Sequence, residues 1–288
     1  MWCKAAPLLN EMKLSDKYVL ITGASSGIGE ALAYELSSKG MHCVLLARRQ
    51  SELDRVSANI IERFGQTPIT QVCDVTSVDD LLKAAKTVEA QLGRSADRSD
   101  NNSGSNSGIH LLILNAGMTM HGSFESSTTD ALRRIMELNF FAAVETVRQF
   151  LPFLKRATGD KKIVLISTPS GLYGISNRFG YSASKAAAQA FIESIGHELK
   201  ADNISTAIFY PGYVATSLRT SGIQSDGQPI SEKQASNARS AEEVAKIFTR
   251  AIEKDSRHVF TNTTGRFVYY TRTLAPWLLD LMISKKHS

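Results

Sequence analysis

The stretch Tyr18-Val-Leu-Ile-Thr-Gly23-Ala-Ser-Ser-Gly27-Ile-Gly29-Glu constrains this chain more than any other. A short apolar strand pattern runs through three glycines into a helical pattern. Glycine lets a backbone turn tightly and approach a pyrophosphate, which then sits on the N-terminus of the helix. Gly23, Ser25, Ser26, Gly27, Ile28 and Gly29 are therefore candidate nucleotide contacts. The spacing is Gly-x-x-x-Gly-x-Gly and no Gly-Lys-Ser/Thr follows, which excludes a P-loop. Taken alone, such a turn also suits an ordinary loop.

The rest of the chain keeps the rhythm that this opening sets. Strand patterns occur at Tyr18–Thr22, Cys43–Leu46, Ile69–Cys73, Leu111–Leu114, Ile163–Ser167, Thr206–Tyr210 and His258–Phe260. Helical patterns lie between them, near Gly29–Ser38, Ser51–Phe64, Val78–Leu92, Thr128–Lys155, Tyr181–Lys200 and Ala241–Glu253. Buried strands that cross over through helices build a parallel sheet covered on both faces. The expectation is an α/β single-domain Rossmann fold over residues 1–288, a doubly wound parallel sheet of about seven strands. Residues 94–108 are polar and of low complexity, with too little apolar surface to order themselves. They read as a flexible insert and not as a domain boundary, because the alternation resumes directly after them.

Composition narrows the function classes. Hydrophobic residues make up 43% and charged residues 21%, as in a soluble globular enzyme. The net charge of +5 is scattered, with no run of five Lys/Arg, so a nucleic-acid partner is not expected. Cys3, Cys43 and Cys73 show neither a disulfide framework nor a zinc spacing. A reduced, cytoplasmic setting and the absence of a metal are the expectations. The N-terminus has no long apolar run, so neither a signal peptide nor a spanning helix is expected.

The second strand pattern ends Leu46-Ala47-Arg48-Arg49-Gln50. An NAD site expects an acid about 20 residues past the glycines to hold the ribose hydroxyls. Arg48 and Arg49 stand there instead, offering fixed charge and forked donors to a 2′-phosphate, which favours NADP. Arg48, nearer the strand, is the preferred phosphate contact, and Asp74-Val75 after the third strand are candidates to bracket the adenine.

Further elements fall at the C-terminal ends of strands, where a doubly wound sheet gathers its site. They are Asn115-Ala116-Gly117, Ser167-Thr168 and Pro211-Gly212-Tyr213-Val214-Ala215-Thr216. Tyr181 and Lys185 share a helix face at i and i+4. A lysine ammonium beside a phenol favours phenolate, so Tyr181 is a candidate general acid/base. By itself Tyr-x-x-x-Lys is common on helices and mostly structural.

Together these motifs resemble the classical short-chain dehydrogenase/reductase family over nearly the whole chain, in family order and spacing. The resemblance implies a nicotinamide cofactor, which Arg48 and Arg49 make NADP(H), with Pro211, Gly212, Val214 and Thr216 joining the glycine turn, Asn115-Ala116-Gly117, Tyr181 and Lys185 in holding it. It implies that Tyr181 gives a proton to a substrate carbonyl, that Lys185 binds the nicotinamide ribose and that Asn139 holds a water in the proton relay. The family's serine falls thirteen residues before the tyrosine and three before a glycine, and Thr168 stands there. Pro169 pushes Thr168 towards an extended backbone, while Ser167 is expected to turn away and Ser170 to cap the loop. Residues 217–240 match the family's substrate lid, and the apolar residues 267–288 pack on the body, at a subunit interface or on a membrane surface, packing on the body being preferred.

The leading reading is an NADPH-dependent reductase of a ketone or aldehyde on an apolar lipid-, steroid- or retinoid-like substrate. A regulatory protein that binds NADPH is the alternative, and a sugar-nucleotide epimerase is discounted for want of a C-terminal substrate domain. Ala183, Ala187 and Ala190 permit close helix approach, and family members commonly pair there, so a homodimer or homotetramer is expected.

Overall fold

The computed structural model describes residues 11–96, 108–216, 222–230 and 238–278. Most of the expected insert at 94–108, much of the expected lid at 217–240 and the end of the apolar segment at 267–288 lie outside the described residues.

Seven strands form one parallel sheet: β1 (Tyr18–Thr22), β2 (His42–Ala47), β3 (Ile69–Val72), β4 (Leu111–Leu114), β6 (Lys161–Ile166), β7 (Ile204–Tyr210) and β9 (His258–Phe260). Their order is β3-β2-β1-β4-β6-β7-β9. The period of two along each strand divides its side chains between two cores. Leu20, Leu112, Leu165 and Ile208 pack under α3 (Val78–Ala96), α5 (Ala142–Arg156) and α6 (Phe179–Glu198). Val19, Ile21, Ile113 and Phe209 pack under α1 (Gly27–Ser38), α2 (Gln50–Phe64) and α7 (Ala241–Glu253). The chain winds outward in both directions from β1 and β4, and a crevice opens beyond their carboxyl ends.

The structure departs from the sequence reading in four places. The single helix expected over 128–155 is α4 (Thr129–Met136) and α5 joined by a π turn, Glu137–Phe141, which carries Asn139. β6 starts at Lys161, because the buried Lys162 finds Asp255 as its partner. A two-stranded parallel ribbon, β5 (Met120–His121) with β8 (Ile223–Gln224), ties the exit of β4 to the later chain. Overlapping the start of the apolar segment, an unforeseen helix, α8 (Thr263–Leu274), buries Val268 and packs Tyr269 on Tyr210 and Phe260. Its Phe267, Tyr270 and Leu274, and Trp277 beyond it, are exposed, so packing against the body accounts for only part of that segment.

Candidate active site

A cleft of about 620 Å³ runs along the carboxyl ends of the strands. Apart from Gly29 and Asn139, the residues expected to hold cofactor or do chemistry all line it. Its nucleotide end is built by Thr22, the last residue of β1. The Thr22 hydroxyl accepts the backbone N–H groups of Asn115 (3.0 Å) and Ala116 (3.1 Å). The Asn115 side chain donates back to the carbonyls of Thr22 (3.0 Å) and Gly23 (3.1 Å). These bonds seat the glycine turn on the loop after β4. Gly29 serves that closure without facing the cleft: a Cβ there would collide with the Gly23 carbonyl and the Asn115 amide.

The features at this end suit a dinucleotide. Ser26 precedes α1 without capping it by its side chain, which leaves the first N–H groups of the helix for an anion. Arg49 donates to the Ser25 hydroxyl at 3.3 Å, on the turn itself. Arg48 leans the other way, 3.9 Å from Asp74, with most of its side chain exposed. The phosphate contact preferred for Arg48 therefore has Arg49 as an equal candidate. Asp74 accepts from the backbone N–H (3.0 Å) and hydroxyl (2.7 Å) of Thr76, so it shapes the loop after β3 as well as facing the cleft. Glu30 in the first turn of α1 is neutralised by Arg55.

The chemical end centres on Tyr181, buried where α6 faces the end of β6. Burial pushes its phenol up from the ordinary value, while a hydrogen bond with Thr168 and the charge of Arg178 pull it down. Lys185 lies one helical turn further along α6. Its ammonium donates to the Ile166 carbonyl at 3.2 Å, and burial lowers its pKa to about 8. Sharing a helix face with Tyr181 brings Lys185 into the cleft, where the last carbonyl of β6 holds its ammonium. Gly117 is held to a bare hydrogen here. A Cβ would lie 2.9 Å from Asn139 Oδ1 and 3.2 Å from Lys185 Nζ.

Asn139 makes three hydrogen bonds within the protein. Its Oδ1 accepts from Met118 N (2.9 Å), and its Nδ2 donates to Met118 O (3.0 Å) and Ser184 Oγ (2.9 Å). The π turn brings this side chain off the regular ladder and joins the loop after β4 to α6. Ser167 is buried and accepts from Gln189 Nε2 at 2.7 Å. The same amide donates to the Thr168 carbonyl at 3.2 Å. The loop cap is Thr168 and not Ser170, because Thr168 Oγ1 accepts from Ser170 N at 3.3 Å.

Sequence reasoning missed Thr22, Ser184, Gln189 and Arg178. Ser184 and Gln189 flank Lys185 on α6, and only the fold shows which loops they meet. Asn262 and Gly265, at the start of α8, also line the far end of the cleft. Among the described residues no group of three or more His, Cys, Asp or Glu could hold a metal, and no helix is long and apolar enough to cross a membrane.

Comparison with known proteins agrees with this geometry. The family model for short chain dehydrogenases matches residues 17–226. A "Dehydrogenase/reductase SDR family protein 7-like" of Anopheles gambiae is 32% identical over 290 residues, covering 97% of this chain and 87% of that protein. The "11-beta-hydroxysteroid dehydrogenase 1A" of Arabidopsis thaliana is 30% identical over 277 residues, covering 93% of this chain and 74% of that protein. A short-chain dehydrogenase/reductase from Burkholderia phymatum, solved in complex with NAD, superposes with a TM-score of 0.76 at 22% identity, covering 93% and 96% of the two chains. With its fold, its cleft and the matched span in agreement, the chain belongs to the short-chain dehydrogenase/reductase family of oxidoreductases.

Proposed function

We propose that this protein is an NADP(H)-dependent oxidoreductase that reduces a ketone or aldehyde, reversibly, on an apolar lipid-, steroid- or retinoid-like substrate. The observation that carries the reading is that Tyr181, Thr168 and the glycine turn line one cleft at the carboxyl ends of a parallel sheet. When bound, the nicotinamide supplies hydride to the carbonyl carbon. Tyr181 then gives its proton to the oxygen, whose charge Thr168 stabilises as a second donor. Burial holds the phenol in its protonated form at neutral pH, the form a proton donor needs. Asn139, Thr168, Tyr181 and Lys185 are the proposed working residues. The glycine turn, Arg48, Arg49, Asp74-Val75, Asn115-Ala116-Gly117 and the loop from Pro211 to Thr216 are the proposed cradle. The relative bearing the hydroxysteroid dehydrogenase name supports the apolar substrate class.

The test is the rate of NADPH and NADH oxidation with a panel of ketones and aldehydes. NADPH is expected to be the better donor. Arg48→Ala and Arg49→Ala should together weaken NADPH selectively, by about 1.5–3 kcal/mol for each charge-assisted hydrogen bond removed. Equal weakening of NADPH and NADH would refute the cofactor assignment. NADPH binding without turnover of any carbonyl would favour the regulatory reading, which the threonine at position 168 keeps in view.

A further inference from the structure

Gln189 lies two helical turns beyond Tyr181 on α6 and one beyond Lys185, so the three side chains share a helix face. The described residues lining the cleft include Ser167, Thr168 and Tyr181 but not Gln189, which is buried behind them. Its Nε2 donates to the buried Ser167 hydroxyl at 2.7 Å and to the Thr168 carbonyl at 3.2 Å. A carbonyl only accepts, so the atom that faces it is the amide nitrogen, whose two hydrogens serve both partners. The Thr168 carbonyl also accepts from Gly171 N at 3.1 Å, a bond within its own short turn. The bond from Gln189 is different, because it crosses from that turn to the helix that carries Tyr181. Pro169 has no N–H, so hydrogen bonds can orient the Thr168–Pro169 peptide only through this carbonyl. Gly171 leaves the room that the crossing needs: a Cβ there would collide with the Gln189 amide.

We propose that Gln189 is a positioning residue for Thr168. By holding the Thr168 carbonyl it fixes the backbone at Thr168, and with it the direction in which the Thr168 hydroxyl is presented beside Tyr181. An apolar side chain of the same size would fill the space without setting that direction, because a hydrogen bond is directional and a packing contact is not. This rests on the carbonyl-reductase reading, in which the two hydroxyls serve one substrate oxygen, and extends it to a residue that touches neither substrate nor cofactor.

The test is a double-mutant cycle on one accepted ketone, comparing the parent, Gln189→Met, Thr168→Ala and the double variant. NADPH binding is followed in parallel by the fluorescence of the nucleotide. Gln189→Met keeps the length of the side chain and removes its donors. It should lower kcat about 10–10²-fold, the loss that a small misplacement of a working group can cause. KM for the ketone and Kd for NADPH should stay within about twofold of the parent, since the loss falls on the transition state alone. In the Thr168→Ala background the same substitution should change kcat by less than about twofold, because the hydroxyl it positions is gone. A residue that only supports the fold would lower kcat by one factor in both backgrounds, or would shift KM and Kd as well. Either result overturns the proposal, as does a parent-like kcat in Gln189→Met. Gln189→Asn keeps the amide but draws it back by one methylene; it should repeat the pattern, and it decides the matter if Gln189→Met does not fold. A parent that binds NADPH and reduces no ketone or aldehyde removes the carbonyl-reductase reading and this proposal with it. A parent that reduces ketones while both Gln189 variants keep its rate removes this proposal alone.

Discussion

Thr168 is held by three hydrogen bonds before a substrate arrives. Its hydroxyl accepts from Ser170 N and donates to Ser170 Oγ, and its carbonyl accepts from Gln189. Its backbone is extended, as the following proline requires. Removing one preorganised donor typically costs about 10²–10³ in rate, so Thr168→Ala should lower kcat by that factor. Thr168→Ser should keep most of the rate, Ser170→Ala should change it little, and Tyr181→Phe should be the slowest, since the proton itself is gone. Steady-state kinetics on one accepted ketone ranks the four variants; a normal rate for Thr168→Ala beside a failed Ser170→Ala would assign the donor to Ser170. At this scale the sequence was legible wherever a place at the cleft follows from spacing along the chain, as with Tyr181, Lys185 and Thr168. It was silent where a role depends on which loop folds over a helix. Gln189 shows this, and so does the Lys185 ammonium, whose final partner is a carbonyl on β6.

At the scale of elements, the strand and helix rhythm placed all seven sheet strands, because buried parallel strands are short apolar runs that few other structures mimic. The elements it missed have physical reasons. α8 reads Thr-Thr-Gly-Arg-Phe-Val-Tyr-Tyr-Thr-Arg-Thr-Leu, rich in β-branched and aromatic residues that are poor helix formers. It is started by the Asn262 side chain, which accepts from Gly265 N at 2.9 Å. β5 and β8 are two residues each, too short for any periodicity. Just before β4 lies His110, buried, with its Nδ1 accepting from Tyr18 N at 3.4 Å. Burial, with Lys17 and Lys161 nearby, lowers its pKa from 6.5 to about 4. Between those values the unfolded chain binds the proton and the folded protein does not, so stability falls as pH drops from about 6.5 to about 4. His110→Gln should flatten that part of the pH profile. Denaturant midpoints across this window check it; an unchanged slope in the variant would place the acid sensitivity elsewhere.

For the whole molecule, the outer surface of α6 invites a partner. Ala183 and Ala190 are exposed on it and Ala187 is half-buried, while Phe141 is 47% exposed on the neighbouring π turn. Small residues let two helices approach closely, and an exposed aromatic beside them supplies apolar area for such a contact. We therefore expect a dimer or tetramer through this face, and Ala187→Glu should drive it towards monomer. Light scattering at micromolar concentration decides the matter; a monomeric mass for the unaltered protein would rule the assembly out. Because every strand of the main sheet runs the same way, the chemistry gathers at one rim, while His110 and the Lys162–Asp255 pair stand at the other. Selection can therefore rework the loops of the first rim for a new substrate while the second stays untouched. An engineer can likewise adjust tolerance to acid or heat at the second rim without retuning the catalyst.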